Sequence, residues 1–362
     1  MTNILFITYG LEKNGTEEFI MNVLRGLNKE KFHADFLIFS QGETSNSIEA
    51  ESYGCKIFRL PPRRKGLCYY KELDDFFMKN AAYYNAVHLN EGNMTTISPI
   101  YYAWKYKVPV RIIHAHNSNT PGFLNKLQHW YNKQFNLKYC THRFACSTLA
   151  SEFFFDGKNS TIIKNGIVLN RFSYNTTERT KFRAQLGFSE TEKIIGHVGR
   201  FTDVKNQNFI VDIFNKYHQM NPDSRLVLIG VGVNYDKIKQ KVKKLNIDDS
   251  VLMPGLQTNI NEWMQAFDLF LMPSLFEGLP FVLVEAQAAG LPCVVANTIN
   301  KDAAITDSFY YLRLSDSAQI WADKINSILM NYKRENKDEI IEKTGFSIEN
   351  TVYYLQEVYE KG

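Results

Sequence analysis

Short apolar runs alternate with amphipathic stretches along the whole chain, the pattern of βα units built round a parallel sheet. In the first half this predicts strands near Ile4 to Tyr9, Ala34 to Phe39, Ala86 to Leu89 and Arg111 to His114. Between the first two lies "TEEFIMNVLRGLN", where Phe19, Ile20, Val23, Leu24 and Leu27 share one helical face and Thr16 is placed to cap it. The second half repeats the theme, with strands near Ile194 to Val198, Leu226 to Ile229, Val251 to Met253, Leu269 to Met272 and Cys293 to Ala296. Two doubly wound sheets are therefore expected. The join falls within "IIKNGIVLNRF", Ile162 to Phe172, where an apolar run stops at an Asn-Gly turn. This divides the chain into an N-terminal Rossmann-like domain, 1–165, and a C-terminal one, 166–345. The closing segment 346–362, with Val352, Leu355 and Tyr359 at helical spacing, is expected to pack back on the first domain.

A length of 362 residues suits two domains, each with its own core. The 42 Lys+Arg against 38 Asp+Glu leave +4, a mild excess that suits a nucleotide or an anionic membrane surface and does not imply nucleic acid. Five scattered cysteines without a CxxC pair point to a reduced, cytoplasmic setting. The opening "MTNILFITYG" lacks a basic leader and a cleavage site and reads as a strand; no later segment has the apolar length of a membrane span.

In open α/β sheets ligands lie beyond the carboxyl ends of the strands, so the residues just after each strand are the informative ones. The loop "YGLEKNGTEEF" with Gly15 leads into a helix whose free N–H groups can receive an anion or a hydroxyl, or is an ordinary turn. In "HAHNSNT" His116 stands at the strand's exit, as a structural hydrogen-bonder or a reacting group. In "GHVGRFTDVKNQNFI" Arg200 and Lys205 precede a helix, either as a diphosphate clamp or as solvated cations. "GVGVNY" carries Tyr235 where a dinucleotide fingerprint has its third glycine. The lysines of "DKIKQKVKKLN" read as a solvated face around Ile238, Val242 and Leu245. In "SLFEGLPFVLVEAQAAGLP", a turn places Glu277 at the carboxyl end of a strand, and a helix started by Pro280 near its first position carries Glu285 in its second turn. The amides of Phe281 and Val282 face the same space.

The E-x7-E spacing in "EGLPFVLVE", with Arg200 and Lys205 upstream, "KNGI" at the junction and the later "SDSAQIWADKI", resembles the retaining GT-B glycosyltransferases of family GT4, in the branch that builds capsular and exopolysaccharides. The likeness runs over nearly the whole chain. It implies an α/β fold of two Rossmann-like domains facing each other across a cleft and closing on the donor by a hinge near Asn165 and Gly166. It implies a transferase that moves a hexose or N-acetylhexosamine from a nucleotide sugar, UDP-linked, to a lipid-linked saccharide, with retained configuration and no metal or cofactor. The roles it carries over are Glu277 on the donor sugar, Glu285 on the ribose hydroxyls, Arg200 and Lys205 on the diphosphate, and His116 near the reaction centre. Two departures stand out: the family's Gly-Gly-x-Glu loop is here Asn14-Gly15-Thr16-Glu17, and Asn206 follows Lys205 where glycine is common. A sugar-nucleotide epimerase on the same fold and a non-catalytic nucleotide-binding subunit are the alternatives. For the membrane, "LPPRRKGLCYYKELDDFF" is either a basic and aromatic docking loop through Arg63, Arg64 and Lys65 or a solvated loop packed by its own tyrosines.

Overall fold

The computed structural model describes every residue except Lys13, Asn14, Ser118, Pro121, Gly278 and Gly362; the Asn14 of the glycine loop and the glycine after Glu277 thus lie outside the described residues. The chain divides into two compact units, Met1–Ile167 with Gly345–Gly362, and Val168–Thr344.

The first unit holds β1 (Thr2–Thr8), β2 (Phe32–Ile38), β3 (Ile57–Arg59), β4 (Ala86–Glu91), β5 (Val110–Ala115), β6 (His142–Ala145) and β7 (Thr161–Ile162). They form one parallel sheet in the order β3-β2-β1-β4-β5-β6-β7. The second unit holds β8 (Lys193–Val198), β9 (Ser224–Ile229), β10 (Val251–Gly255), β11 (Leu269–Met272), β12 (Cys293–Ala296) and β13 (Phe309–Leu312), in the order β10-β9-β8-β11-β12-β13, again all parallel. The order runs outward from the middle and reverses once, between β1 and β4 in one sheet and between β8 and β11 in the other. Those are the topological switch points, where flanking loops diverge and leave a crevice at the strands' carboxyl ends.

The helices that flank these sheets include α1 (Gly15–Gly26), α2 (Phe123–Phe135), α3 (Gln207–Met220), α4 (Phe281–Ala288) and α5 (Ile348–Glu360). In α1 the residues Phe19, Ile20, Val23 and Leu24 are buried, and Leu27 just beyond is buried with them, as the periodicity requires. Thr16 is the second residue of α1 and not its cap, and the acidic residues of that first turn, Glu17 and Glu18, complement the helix dipole there. Pro280 likewise sits just before α4 and not at its first position. Its ψ of 123° is extended, so it can only precede the helix while its carbonyl accepts from the Leu283 N–H at 3.1 Å. The periodicity did not mark β3, β6 or β13. β3 has three residues and ends in Arg59, and β6 opens with His142 and Arg143, so neither shows a sustained apolar run; β13, Phe309–Leu312, is an unbroken aromatic and apolar run, legible in the sequence but not marked.

Residues 345–362 return to the first unit. Ile348 N–H bonds Ile167 O at 3.0 Å, Asn28 N–H bonds Gln356 Oε1 at 2.9 Å, and α5 buries Val352, Leu355, Val358 and Tyr359. The sheet of each unit is covered by a core of its own: Leu5, Leu37, Val87 and Ile113 with Phe77 and Phe154 in the first, Ile195, Leu226 and Leu271 with Phe214 and Trp321 in the second.

Candidate functional site

At the β8/β11 switch point three loops are tied together. Leu275 N–H bonds Val204 O at 2.8 Å, Asn206 Nδ2 donates to Pro273 O at 3.1 Å, and Thr298 Oγ1 donates to Ser274 O at 2.8 Å. Glu277 itself forms a lone parallel bridge with Ile299. The result is an ion pair: Lys205 Nζ lies 2.6 Å from Glu277 Oε1, with the two side chains 21% and 12% exposed. Residues 72 positions apart, separately singled out from the sequence, are one contact. Asn206, the departure from glycine, has φ 55°, in the left-handed region that asparagine tolerates better than other non-glycine residues. Glycine's usual conformation is kept by its replacement.

Arg200 is exposed, and its backbone is held from beneath. Buried Gln207, the first residue of α3, donates from Nε2 to Arg200 O at 3.0 Å and lies 3.3 Å from His197 Nε2. His197 donates from Nδ1 to Leu271 O at 2.9 Å, and burial pushes its pKa down to about 4, so the imidazole is neutral and accepts at Nε2. The glycines of "GVGV" serve packing: Gly230 (φ 135°) and Gly232 (φ 156°) lie so close to the strand-exit loop of β8 that a Cβ would come within 2.2 Å of Gly199 O and 2.4 Å of Phe201 O. No side chain fits there.

Four residues after Glu277, α4 opens with Phe281 and Val282, whose amides are among the helix's unmatched N–H groups, and Glu285 comes next, half-buried, in the second turn. The helix is anchored by Gln287, fully buried. It donates to Leu283 O and Ala303 O, both at 2.8 Å, and accepts the Ile305 and Thr306 amides, both at 2.9 Å. With both ends of its amide used, Gln287 fixes the rotation of α4 and hence the direction in which Glu285 projects.

The first unit's switch point is built differently. His116 follows β5; its amide bonds Glu91 O at 3.0 Å, and its Nε2 lies 2.9 Å from Asn90 Oδ1. Asn90 Nδ2 donates to His88 O at 3.0 Å, which turns Oδ1 toward the ring, so His116 carries its proton on Nε2. Nδ1 then keeps an unpaired lone pair, buried from solvent, that finds no partner among the described residues. Burial pushes the pKa of His116 down to about 3. It is a neutral hydrogen-bond acceptor and too weak a base to carry a proton at neutral pH. The strand ends between His114 and His116, yet their rings remain on one side, 4.2 Å apart. Behind them His114 Nδ1 meets His88 Nε2 at 3.2 Å, and His88 Nδ1 meets Tyr359 Oη of α5 at 2.7 Å. Phe19 of α1 packs on both His114 and His116. Gly15 opens α1 on the same strand-end side.

Besides Gln287, sequence reasoning missed four of these groups. Asn90 and His88 position His116, and Gln207 positions Arg200. The fourth, Glu91, ends β4 at the switch point, where burial, with the Glu17 carboxyl adding to it, pushes its pKa up to about 8. The rule that strand ends carry chemistry would have found Asn90 and Glu91 in "VHLNEGN" had β4 been extended two residues past Leu89. Among the described residues no group of three or more His, Cys, Asp or Glu side chains could hold a metal ion.

The family model of glycosyl transferases group 1 matches residues 178–345, the stretch that carries Arg200, Lys205, Glu277 and Glu285. EpsF of Bacillus subtilis (strain 168), described as a glycosyltransferase, is 31% identical over 370 residues, 98% of this chain and 96% of that protein. The UDP-Gal:alpha-D-GlcNAc-diphosphoundecaprenol alpha-1,3-galactosyltransferase of Escherichia coli is 25% identical over 238 residues, 61% of this chain and 60% of that one. In fold, the chain is similar to HepE of Anabaena, solved in complex with UDP, with a TM-score of 0.80 at 17% identity over 100% of both chains. The two parallel Rossmann-like sheets are thus those of a GT-B protein, and likeness to a relative along almost its entire length places this chain in the glycosyl transferases group 1 family.

Proposed function

We propose that the chain is a retaining, metal-independent transferase that moves a hexose or N-acetylhexosamine from a UDP-sugar to a lipid-linked saccharide in capsular or exopolysaccharide synthesis. The observation that carries this reading is the Lys205–Glu277 contact at the β8/β11 switch point, with Glu285 eight residues on in α4. Support for the donor comes from the UDP bound by HepE and the UDP-Gal named for the E. coli relative, and for the acceptor from that relative's diphosphoundecaprenol.

In this reading Arg200 and Lys205 meet the diphosphate, whose charge grows as the bond to the anomeric carbon breaks, so they act more on the transition state than on the bound substrate. The Phe281 and Val282 amides add unmatched donors at the start of α4. Glu285 accepts from the ribose hydroxyls, and Glu277 accepts from the sugar while holding Lys205 in place. Gly15 lets the backbone at the start of α1 approach the donor. His116 stands near the reaction centre as a neutral hydrogen-bonding group. The acceptor hydroxyl attacks the anomeric carbon from the face the diphosphate leaves, and its proton passes to a diphosphate oxygen.

Incubation with a panel of nucleotide sugars and a polyprenyl-diphosphate saccharide, with EDTA present, should yield an acceptor heavier by one sugar by mass spectrometry. The anomeric proton coupling of the product should match that of the donor. A product of inverted configuration, or a rate lost to EDTA and restored by manganese, would refute the mechanism. Conversion of the donor to its epimer without any acceptor would assign the epimerase reading instead.

A further inference from the structure

Helix α2 is amphipathic with its faces reversed. At 100° per residue, Phe123, Leu124, Leu127, Trp130, Tyr131 and Phe135 fall on one arc of about 140°, and all six are exposed, Phe123 by 74% and Leu124 by 78%. The residues that α2 buries are polar, His129 and Asn132. They pin it: His129 Nδ1 accepts the Met94 amide at 3.1 Å and its Nε2 donates to Phe153 O at 3.1 Å, while Asn132 donates to Met94 O. A helix held inward by satisfied hydrogen bonds and outward-facing in its apolar residues has its orientation built in. Scattered exposed apolar residues need no explanation, but a contiguous stripe on one element does.

The surroundings continue the face. Arg63 reaches Gln128 of α2, which sets the loop of Arg64, Lys65 and 88%-exposed Leu67 beside the helix. Beyond the other end of α2, Tyr101, Trp104 and Tyr139 form an aromatic cluster at 4.8–5.8 Å between ring centroids, two of them well exposed. The sequence here is basic: between Glu91 and Glu152 the chain has no acidic residue and seven lysines and arginines. Lys126 of α2 is exposed, whereas Lys133 turns inward onto Asp156 at 2.6 Å.

We propose that α2, with the flanking loop at Arg64 to Leu67, is the surface by which the enzyme docks on an anionic lipid bilayer, its apolar arc in the headgroup boundary and the exposed Arg64, Lys65 and Lys126 among the lipid phosphates. Trp, Tyr and Phe beside Lys suit that boundary, where a ring is apolar at one end and wet at the other. A second copy of the chain suits it less well, since two faces of the same positive sign repel. Among the described residues no helix is long and apolar enough to cross a membrane, so this contact lies in the plane of the surface. The purpose of such docking rests on the reading of a lipid-linked acceptor; the binding itself does not.

The test is flotation of the full chain at low salt with vesicles of phosphatidylcholine containing about one-third phosphatidylglycerol, beside vesicles of phosphatidylcholine alone. No donor or acceptor is present, so the outcome is independent of the transfer reaction. The parent should float with the anionic vesicles and much less with the neutral ones. Leu127→Ser combined with Trp130→Ser should lower binding about tenfold or more, with an unchanged Tm because neither side chain is buried. Met330→Ser, also exposed but on the second unit, should bind as the parent does. A parent that fails to float, or a double variant that floats as well as the parent, overturns the proposal. A parent that ignores vesicles and sediments as a dimer dissolved by the double substitution would assign the face to a second copy instead.

Discussion

The two switch points share a topology and differ in electrostatics. Beside β8 and β11 the candidate side chains are partly exposed and form an ion pair, Lys205 with Glu277. Beside β1 and β4 they are desolvated and uncharged: His116 is held neutral, and Glu91, its pKa near 8, keeps its proton at neutral pH. Pairing orders the side chains at one site, and burial sets the protonation states at the other. A growing negative charge is best met by the first kind of site, a neutral hydroxyl by the second.

The difference breaks most sharply at the ion pair. Glu277→Ala and Lys205→Ala should each lower kcat by about 10²–10³-fold, the effect of losing one group aimed at transition-state charge. Stability should fall far less than activity, because both side chains keep some contact with water and can rehydrate when the partner is removed. Activity assays beside thermal melts separate the two roles: variants that melt early yet work fully once folded would make the pair structural. Next in size, Glu285→Ala should weaken donor binding by calorimetry by about 1.5–3 kcal/mol, roughly 10–150-fold, as expected for a charged acceptor lost from hydroxyl groups. Equal affinity would remove Glu285 from the ribose.

The smallest effect tests the neutral site. A carboxyl raised from 4.5 to about 8 binds its proton more tightly folded than unfolded, so its contribution is whole below pH 4.5 and is lost as pH rises through 8. The lowered histidines, His88, His116 and His197, act in the opposite sense: their contribution is whole above pH 6.5 and fades toward pH 3–4. Glu91→Gln should therefore leave Tm near its parent value at pH 5 and raise it by on the order of a few degrees at pH 8.5. A variant melting in parallel with the parent across that range would show that Glu91 is ionised in the folded protein.

The site in the second unit was more legible than that in the first. E-x7-E is local: a strand, a turn and a helix start lie within one short stretch, and Glu277, Phe281 and Glu285 are read directly from it. Arg200 and Lys205 are marked by coming after a strand. His116 was marked by the same rule, but Asn90 and His88, which set its tautomer and place, come from a neighbouring strand through the register Asn90 with His114. Gln207 and Gln287 looked like ordinary helix polar residues, and only burial reveals what their amides hold in place.

Helices α2 and α3 show where the boundary lies. Both are amphipathic by their own sequence, and that much the periodicity settles, since side chains 3.6 residues apart share a face whatever surrounds them. In α3 the apolar face, Ile210, Val211, Ile213 and Phe214, goes inward; in α2 it goes outward. The choice was made by contacts distant in the chain, the hydrogen bonds of His129 and Asn132 to Met94 and Phe153 in one case and the core over β8 and β9 in the other. The chain alone determined two parallel sheets, the strand ends at which the candidate site lies and the E-x7-E spacing. Only the tertiary structure decided which charges meet, which groups lose water and with it their charge, and which apolar face is left for a partner, because each depends on neighbours that sequence order does not bring together.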